Sequence, residues 1–194
     1  MSAAAHVRDE QDRSRVGRPR DPAATSRVVE ATQHLLATRG AWITVDTIAA
    51  HAGVGKATIH RRWPTMVDLL AAAVRATDPL PVAPGSPGSA RAQLTALLRR
   101  LTESLLQAEL VVAAALTRST REPTLHEAAE QVLLVPLRER VRAACGSEAA
   151  TAVTAVEGLW VRRYLLPVAL LADAEVDGLV DVVLQAPGPG LRAS

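Results

Sequence analysis

Five side chains within seven residues, Lys56, Thr58, His60, Arg61 and Arg62, bring hydrogen-bond donors and positive charge to a stretch without a carboxylate. Guanidinium and ammonium groups set this closely suit phosphate oxygens. They also match the O6/N7 edge of guanine, a pairing worth about 1–3 kcal/mol against a wrong base. Lys56 is the single lysine in a chain with 21 arginines. Ala57 beside it is small enough to meet a thymine methyl. Other chemistries find no such constellation. There is no nucleophile–base pairing, no glycine-rich phosphate loop after a strand and no HExxH pattern. A single cysteine, Cys145, excludes an internal disulfide, and no Cys/His cluster has zinc spacing. Tyr164 and Cys145 do not assemble a redox or acyl-transfer site, and His34, His51 and His126 read as isolated surface or core histidines. The expectation is a protein that is not an enzyme and needs no metal or cofactor.

The elements that must position the basic cluster run from Thr44 to Leu70. Thr44 is a good N-cap, because its hydroxyl accepts from the exposed amides of a first turn. Ile48, Ala49 and Ala52 give a small apolar face to a helix of about two turns. Gly53 supplies the left-handed residue that closes it. Val54 plugs the gap, Gly55 opens the next helix, and Ile59 and Trp63 fall four residues apart on its inner face. Lys56, Ala57, His60 and Arg61 then point outward, flanked by Thr58 and Arg62. A short helix with a narrow apolar face and a basic outer face is what a major-groove recognition helix requires. The spacing thus predicts a helix-turn-helix in which Lys56, Ala57 and Arg61 read bases while Thr44, Thr58, His60 and Arg62 hold phosphates.

Upstream, the run RSRVGRPR (Arg13 to Arg20) resembles an AT-hook, with Arg15, Arg18 and Arg20 around Gly17 and Pro19. Such a segment lays arginines along a narrow minor groove, where negative potential is concentrated. A solubilising basic tail, or phosphate contacts without groove insertion, is the other reading. Residues 1–21 lack periodicity and read as a disordered arm. A first helix starts at Asp21-Pro22, with Ala24, Val28, Ala31, Leu35 and Leu36 on its stripe, and closes at Arg39-Gly40. Trp42 and Ile43 are expected to pin the entry to the helix-turn-helix. Pro64 stops the recognition helix, and Thr65 caps a further helix to about Thr77. Residues 22–77 therefore form a DNA-binding head and residues 78–89, rich in proline and glycine, a linker.

Residues 90–185 read as a wholly helical body. Leu94, Leu97, Leu98, Leu101 and Leu105 mark one amphipathic helix, and Glu109 to about Arg118 is a short, nearly all-apolar and therefore central or pocket-facing one. A helix from Pro123 is kinked at Pro136, another begins at Ser147-Glu148 with Val153, Val156 and Trp160 inward, and Asp173 caps the last. Residues 186–194 are a tail. With 48% hydrophobic but only 2% aromatic residues and no Phe, the core must be Ala, Leu and Val, which favours helices. The net charge of +2 divides unevenly: residues 1–75 hold 11 Arg/Lys against 7 Asp/Glu, and the remainder 11 against 13. A basic head on a slightly acidic body follows. The polar N-terminus lacks an apolar h-region and the longest apolar run, Leu165 to Ala172, is far short of a membrane span, so a cytoplasmic protein is expected.

The segment DTIAAHAGVGKATIHRRWPTMVDLL resembles the tetracycline-repressor (TetR) family of bacterial transcription regulators. The matching positions are Ile48-Ala49, Ala52-Gly53-Val54, Thr58-Ile59-His60, Trp63 and Leu69, over roughly residues 25–75. The body resembles the family more loosely, in length, helix order and the LVDVVL segment from Leu179 to Leu184. Three positions depart from the pattern: His60 replaces a tyrosine and makes its phosphate contact smaller and titratable, Met66 replaces a lysine and loses a charge, and Gly55 replaces a serine and loses the cap. The resemblance implies an all-α fold of about nine helices and a homodimer on a near-palindromic double-stranded operator. It implies a small hydrophobic inducer in a pocket framed by Leu98, Leu105, Val112, Leu116, Leu133, Val156 and Trp160, with His126 as polar anchor. Each of these is also a plausible core position. The last two helices are implied to pair with their copies along Val176, Leu179, Val180, Val183 and Leu184. A ligand-responsive repressor is the reading; the alternative is a helical ligand- or partner-binding module that keeps the head but has lost operator binding, as Gly55 and Met66 would suit. Deleting residues 1–20 should weaken operator binding in a gel shift at moderate salt; unchanged affinity removes the arm from the interface.

Overall fold

A core drawn mainly from Ala, Leu and Val leaves few ways to fill an interior, and closely approaching helices are the simplest. The computed structural model describes residues 22–79, 88–119, 121–146, 149–165 and 172–185, and among these it holds nine helices and no strand. The arm up to residue 21, residues 80–87 of the linker, the Ser147-Glu148 start and the tail lie outside the described residues. Helix α1 spans Pro22–Arg39, α2 Val45–Ala52, α3 Lys56–Arg62 and α4 Met66–Arg75. Helix α5 is Ala90–Arg99, followed by a 3-10 turn over Arg100–Thr102, and α6 is Gln107–Ser119. Helix α7 is built of Pro123–Ala129, a π turn over Glu130–Leu134 and Val135–Cys145; α8 is Ala150–Leu165 and α9 Asp173–Gln185.

Helix α1 buries Ala24, Val28, Ala31, Leu35 and Leu36 and ends at Gly40, whose φ of 70° is the left-handed closure its glycine permits. It packs against α2, α4 and α6. Helix α4 is capped by a reciprocal pair: Asp68 N–H donates to Thr65 Oγ1 at 3.1 Å and Thr65 N–H donates to Asp68 Oδ2 at 3.1 Å. From there Leu69, Leu70, Ala71, Ala73 and Val74 are all buried, against α1 on one side and α6 and α7 on the other. Helix α6 is the central element expected, with Val111, Val112, Ala114, Ala115 and Leu116 buried.

Four details differ from the sequence reading. Trp42 does not pin the head: it is 88% exposed, while Ala41 and Ile43 are buried. Residues 42–44 form neither helix nor strand, and along this piece side chains alternate inward and outward, so neighbours cannot both be buried. The Leu94-to-Leu105 helix stops at Arg99, and Leu105 sits half-buried in the coil beyond the 3-10 turn. Pro136 cannot donate to the carbonyl four residues back. The helix answers with a π turn, in which Val135 N–H reaches the Glu130 carbonyl. Asp173 is the first residue of α9 and not its cap; Glu175 turns back to accept from Ala172 N–H at 2.7 Å. Removing the α4 cap by Thr65→Ala should destabilise the protein by about 1 kcal/mol in urea unfolding, with Thr65→Ser close to the parent.

Candidate nucleic-acid interface

Helices α2 and α3 are held by the caps their sequence offers. Thr44 Oγ1 accepts from Thr47 N–H at 3.3 Å, and Gly53, at φ 64° and ψ 38°, closes α2. Ile48, Ala49 and Ala52 are buried beneath it. Helix α3 has no side-chain cap, because Gly55 has none to give. It is held by its inner face: Ile59 and Trp63 are both buried, and Trp63 N–H closes the helix on the Ile59 carbonyl at 2.9 Å. His60, Arg61 and Arg62 occupy its last turn, where positive charge meets the negative end of the helix dipole.

Most of the outward residues are open to solvent. Lys56, Ala57, His60, Arg61 and Arg62 are exposed, Thr58 is half-buried and Thr44 is exposed at the start of α2. Arg62 lies over the Trp63 ring, 5.8 Å from its centroid, which holds the guanidinium against the head. Thr58, Arg61 and Arg62 share a cleft with Ala24, Thr25, Val28 and Trp63 at the start of α1. Thr44 is partly occupied, since its Oγ1 also lies 2.7 Å from Thr47 Oγ1. Lys56 is paired with Asp46 of α2, a carboxylate that the sequence reading did not connect to it. Met66 is half-buried and packs on the core, so it adds no charge at the α4 terminus. Arg15, Arg18 and Arg20 lie outside the described residues.

Two histidines are not isolated: the His34 ring on α1 and the His51 ring on α2 stack, with centroids 4.9 Å apart, because the two helices pack together. On the far side of the head, Arg118 of α6 donates to the Ala41 carbonyl at 2.9 Å and lies over the exposed Trp42 ring. Arg75 of α4 donates to Gln131 of α7 at 3.2 Å. Head and body thus meet through hydrogen bonds as well as apolar packing.

Among its described residues the chain is built of helices, with a helix-turn-helix that turns a basic face outward. Residues 28–73 match the family model described as bacterial regulatory proteins, tetR family. A helix-turn-helix transcriptional regulator of Mycobacterium tuberculosis, Rv1556, is 33% identical over 116 residues. That stretch covers 57% of this chain and 57% of Rv1556, so the chain spans little more than half the length of the curated relatives it matches. Among solved structures, SCO7518 of Streptomyces coelicolor A3(2) superposes with a TM-score of 0.65 at 19% identity, covering 84% of this chain and 98% of that one. The TetR-family transcription regulator SCO0332 does so with a TM-score of 0.56 at 25% identity, over 86% and 99%. The multidrug binding protein EbrR, solved with imidazole, gives 0.62 at 20% identity, over 84% and 96%. The likeness to bacterial regulatory proteins of the tetR family is thus carried by residues 28–73, the helix-turn-helix segment and its flanking helices.

In the body, Leu98, Val112, Leu116, Leu133, Val156 and Trp160 are buried, Leu105 is half-buried, and His126 is exposed on the outer side of α7. Val176, Val180 and Val183 are buried within this chain, where α9 packs on α5 and α8, while Leu179 is half-buried and Leu184 exposed. The polar centre of the body is one that residue spacing did not reveal. Glu109, wholly buried on α6, accepts from Arg100, from Leu106 N–H at 2.8 Å and from the Tyr164 hydroxyl at 3.2 Å. Arg163 of α8 stands beside it, its Nε 3.4 Å from Glu109 Oε1. A lone acid at the head of an apolar run, and an arginine on the Val153, Val156, Trp160 stripe, were the available signals. Elsewhere burial pushes the Cys145 thiol up, away from a reactive thiolate. No group of three or more metal-ligating side chains occurs among the described residues, and no described helix is long and apolar enough to cross a membrane.

Burial, and then the Glu109 charge, hold the Tyr164 hydroxyl far above its ordinary value. Below that ordinary value near 10 the phenol is protonated in both folded and unfolded chains, and its contribution to stability is fully present. Above it the unfolded chain ionises while the folded chain does not, so stability falls as pH rises. Tyr164 is the only tyrosine. Tyrosinate absorbance should therefore stay absent from the folded protein at pH about 11 and appear on denaturation; a normal titration of the native protein contradicts this burial.

Proposed function

We propose that this protein is a homodimeric, ligand-responsive repressor that binds a near-palindromic operator through α3. The observation that carries the reading is the outer face of α3, where Lys56, Ala57, His60 and Arg61 stand exposed on a helix anchored by buried Ile59 and Trp63. Lys56 and Arg61 take base edges, and Arg62, Thr58, Thr44 and His60 take phosphates, with the arm from Arg15 to Arg20 adding charge alongside. Two heads related by a two-fold axis occupy successive major grooves. The partner copy meets the outer side of α8 and α9, where Leu165, Val182 and Leu184 are exposed beside the half-buried Leu179.

A small molecule in the body releases the operator by binding better to the arrangement in which the heads are wrongly spaced. The contacts from Arg118 to Ala41 and from Arg75 to Gln131 give such a change a route to the head. The fold shared with EbrR, a multidrug binding protein, supports a body that takes a small ligand. Uncapped α3 and uncharged Met66 favour one other reading, a module that retains the head without operator binding.

Fluorescence anisotropy with duplexes from the DNA flanking the protein's own gene, against a scrambled duplex, tests the proposal. Arg61→Ala should weaken specific binding by about 1–3 kcal/mol and relax one position of the site. Arg62→Ala should lower affinity for both duplexes and reduce the salt slope by about one. If both variants bind as the parent does, or the parent does not discriminate, operator recognition by α3 is wrong.

A further inference from the structure

The geometry points to a carboxylate-binding site inside the body, with the Arg163 guanidinium as its charged anchor and Trp160 Nε1 as a second donor. It deepens and rests on the reading of the body as ligand-binding, and it makes the effector an apolar carboxylic acid.

The Arg163 side chain is 7% exposed, and its Nε and both terminal nitrogens are buried without a hydrogen-bond partner. One helical turn earlier, on the same side of α8, Trp160 is fully buried and its Nε1–H is likewise unpartnered. Both groups are pure donors, so neither can satisfy the other. Glu109 is the adjacent carboxylate, yet its oxygens are already used: Oε2 by Arg100 and Leu106 N–H, Oε1 by the Tyr164 hydroxyl. The 3.4 Å approach of Arg163 Nε to Oε1 lacks hydrogen-bond geometry. Arg100, by contrast, spends its terminal nitrogens on Glu103, Glu109 and the Ser104 carbonyl.

The charge balance says the same. Arg100 and Arg163 share one fully buried carboxylate, and the other acid in the group, Glu103, is more than half exposed and faces Arg100 alone. A guanidinium that shares its one counter-ion with Arg100 and donates no hydrogen bond is costly to bury, and a carboxylate, with two coplanar acceptor oxygens, is the ligand group that matches its fork. Helices α6 and α8, which pack together here, otherwise bury Val112, Leu116 and Val156, so the remainder of the ligand must be apolar.

Isothermal titration of the full-length protein with sodium acetate, octanoate and benzoate, and with octan-1-ol and benzyl alcohol as neutral matches, tests this. At least one of octanoate and benzoate should bind saturably and at least tenfold more tightly than its alcohol. Arg163→Met should abolish that preference and melt at or above the parent's temperature without ligand, because it removes buried N–H groups that donate to nothing while Glu109 keeps Arg100. Equal binding of acid and alcohol, binding by none of the acids, or unchanged acid affinity in Arg163→Met overturns the site. So does an Arg163→Met protein that melts well below the parent, since the guanidinium is then structural. Anisotropy with the operator duplex separates the two readings. Acid binding that leaves operator affinity unchanged upholds the site and removes its effector role, whereas release by a neutral compound alone upholds the regulator and overturns the site.

Discussion

A helix that is apolar on two sides must be covered on two sides, and α4 imposes that requirement on the rest of the molecule. Its ten residues bury Leu69, Leu70, Ala71, Ala73 and Val74. One side meets α1, and the other meets α6 and α7. Burying each of the two leucines contributes about 2 kcal/mol, while Ala71 and Ala73 let neighbouring helices come close. The head therefore cannot be placed without the body, and their apolar residues form one continuous core. The reciprocal Thr65–Asp68 cap fixes where this shared helix begins, and thereby where α3 stands before it.

The same lack of large aromatics sets the character of the body. With Trp160 as the one large ring among its described residues besides Tyr164, space is divided among Leu, Val and Ala, and polarity is confined to a few buried groups. Glu109 draws Arg100, Tyr164 and a backbone amide around itself. Such a buried ion cluster adds little net stability, because desolvation offsets most of the attraction. Its effect is to fix α6 against α8 and the turn before α6.

Local rules made the head legible. Thr44, Gly53 and Thr65 are caps, and Ile48, Ala49, Ala52, Ile59 and Trp63 are positioned by helical spacing, all within a few residues of what they satisfy. What escaped depends on distant partners. Trp42 stands exposed between buried Ala41 and Ile43, and the side chain it meets, Arg118, comes from α6. Asp46 meets Lys56, and His34 meets His51, only once helices have packed. His126 was read as a polar anchor, but the stripe of Leu125, Ala128 and Ala129 directs it outward. The Glu109 cluster joins residues more than fifty positions apart, which no periodicity reports.

The π turn in α7 has a consequence for phase. Leu125, Ala129, Leu133, Leu137 and Val141 are all buried, at intervals of four residues throughout. In an unbroken α-helix, sixteen residues at about 100° each would leave the last of these nearly opposite the first. The wider turn over Glu130–Leu134 takes up part of that drift, so a single face is kept along the helix. Its first part packs on α4 and its last part on α5 and α8. The proline that forbids one hydrogen bond thus acts as a timing correction, keeping the part that touches the head in step with the part that touches the core.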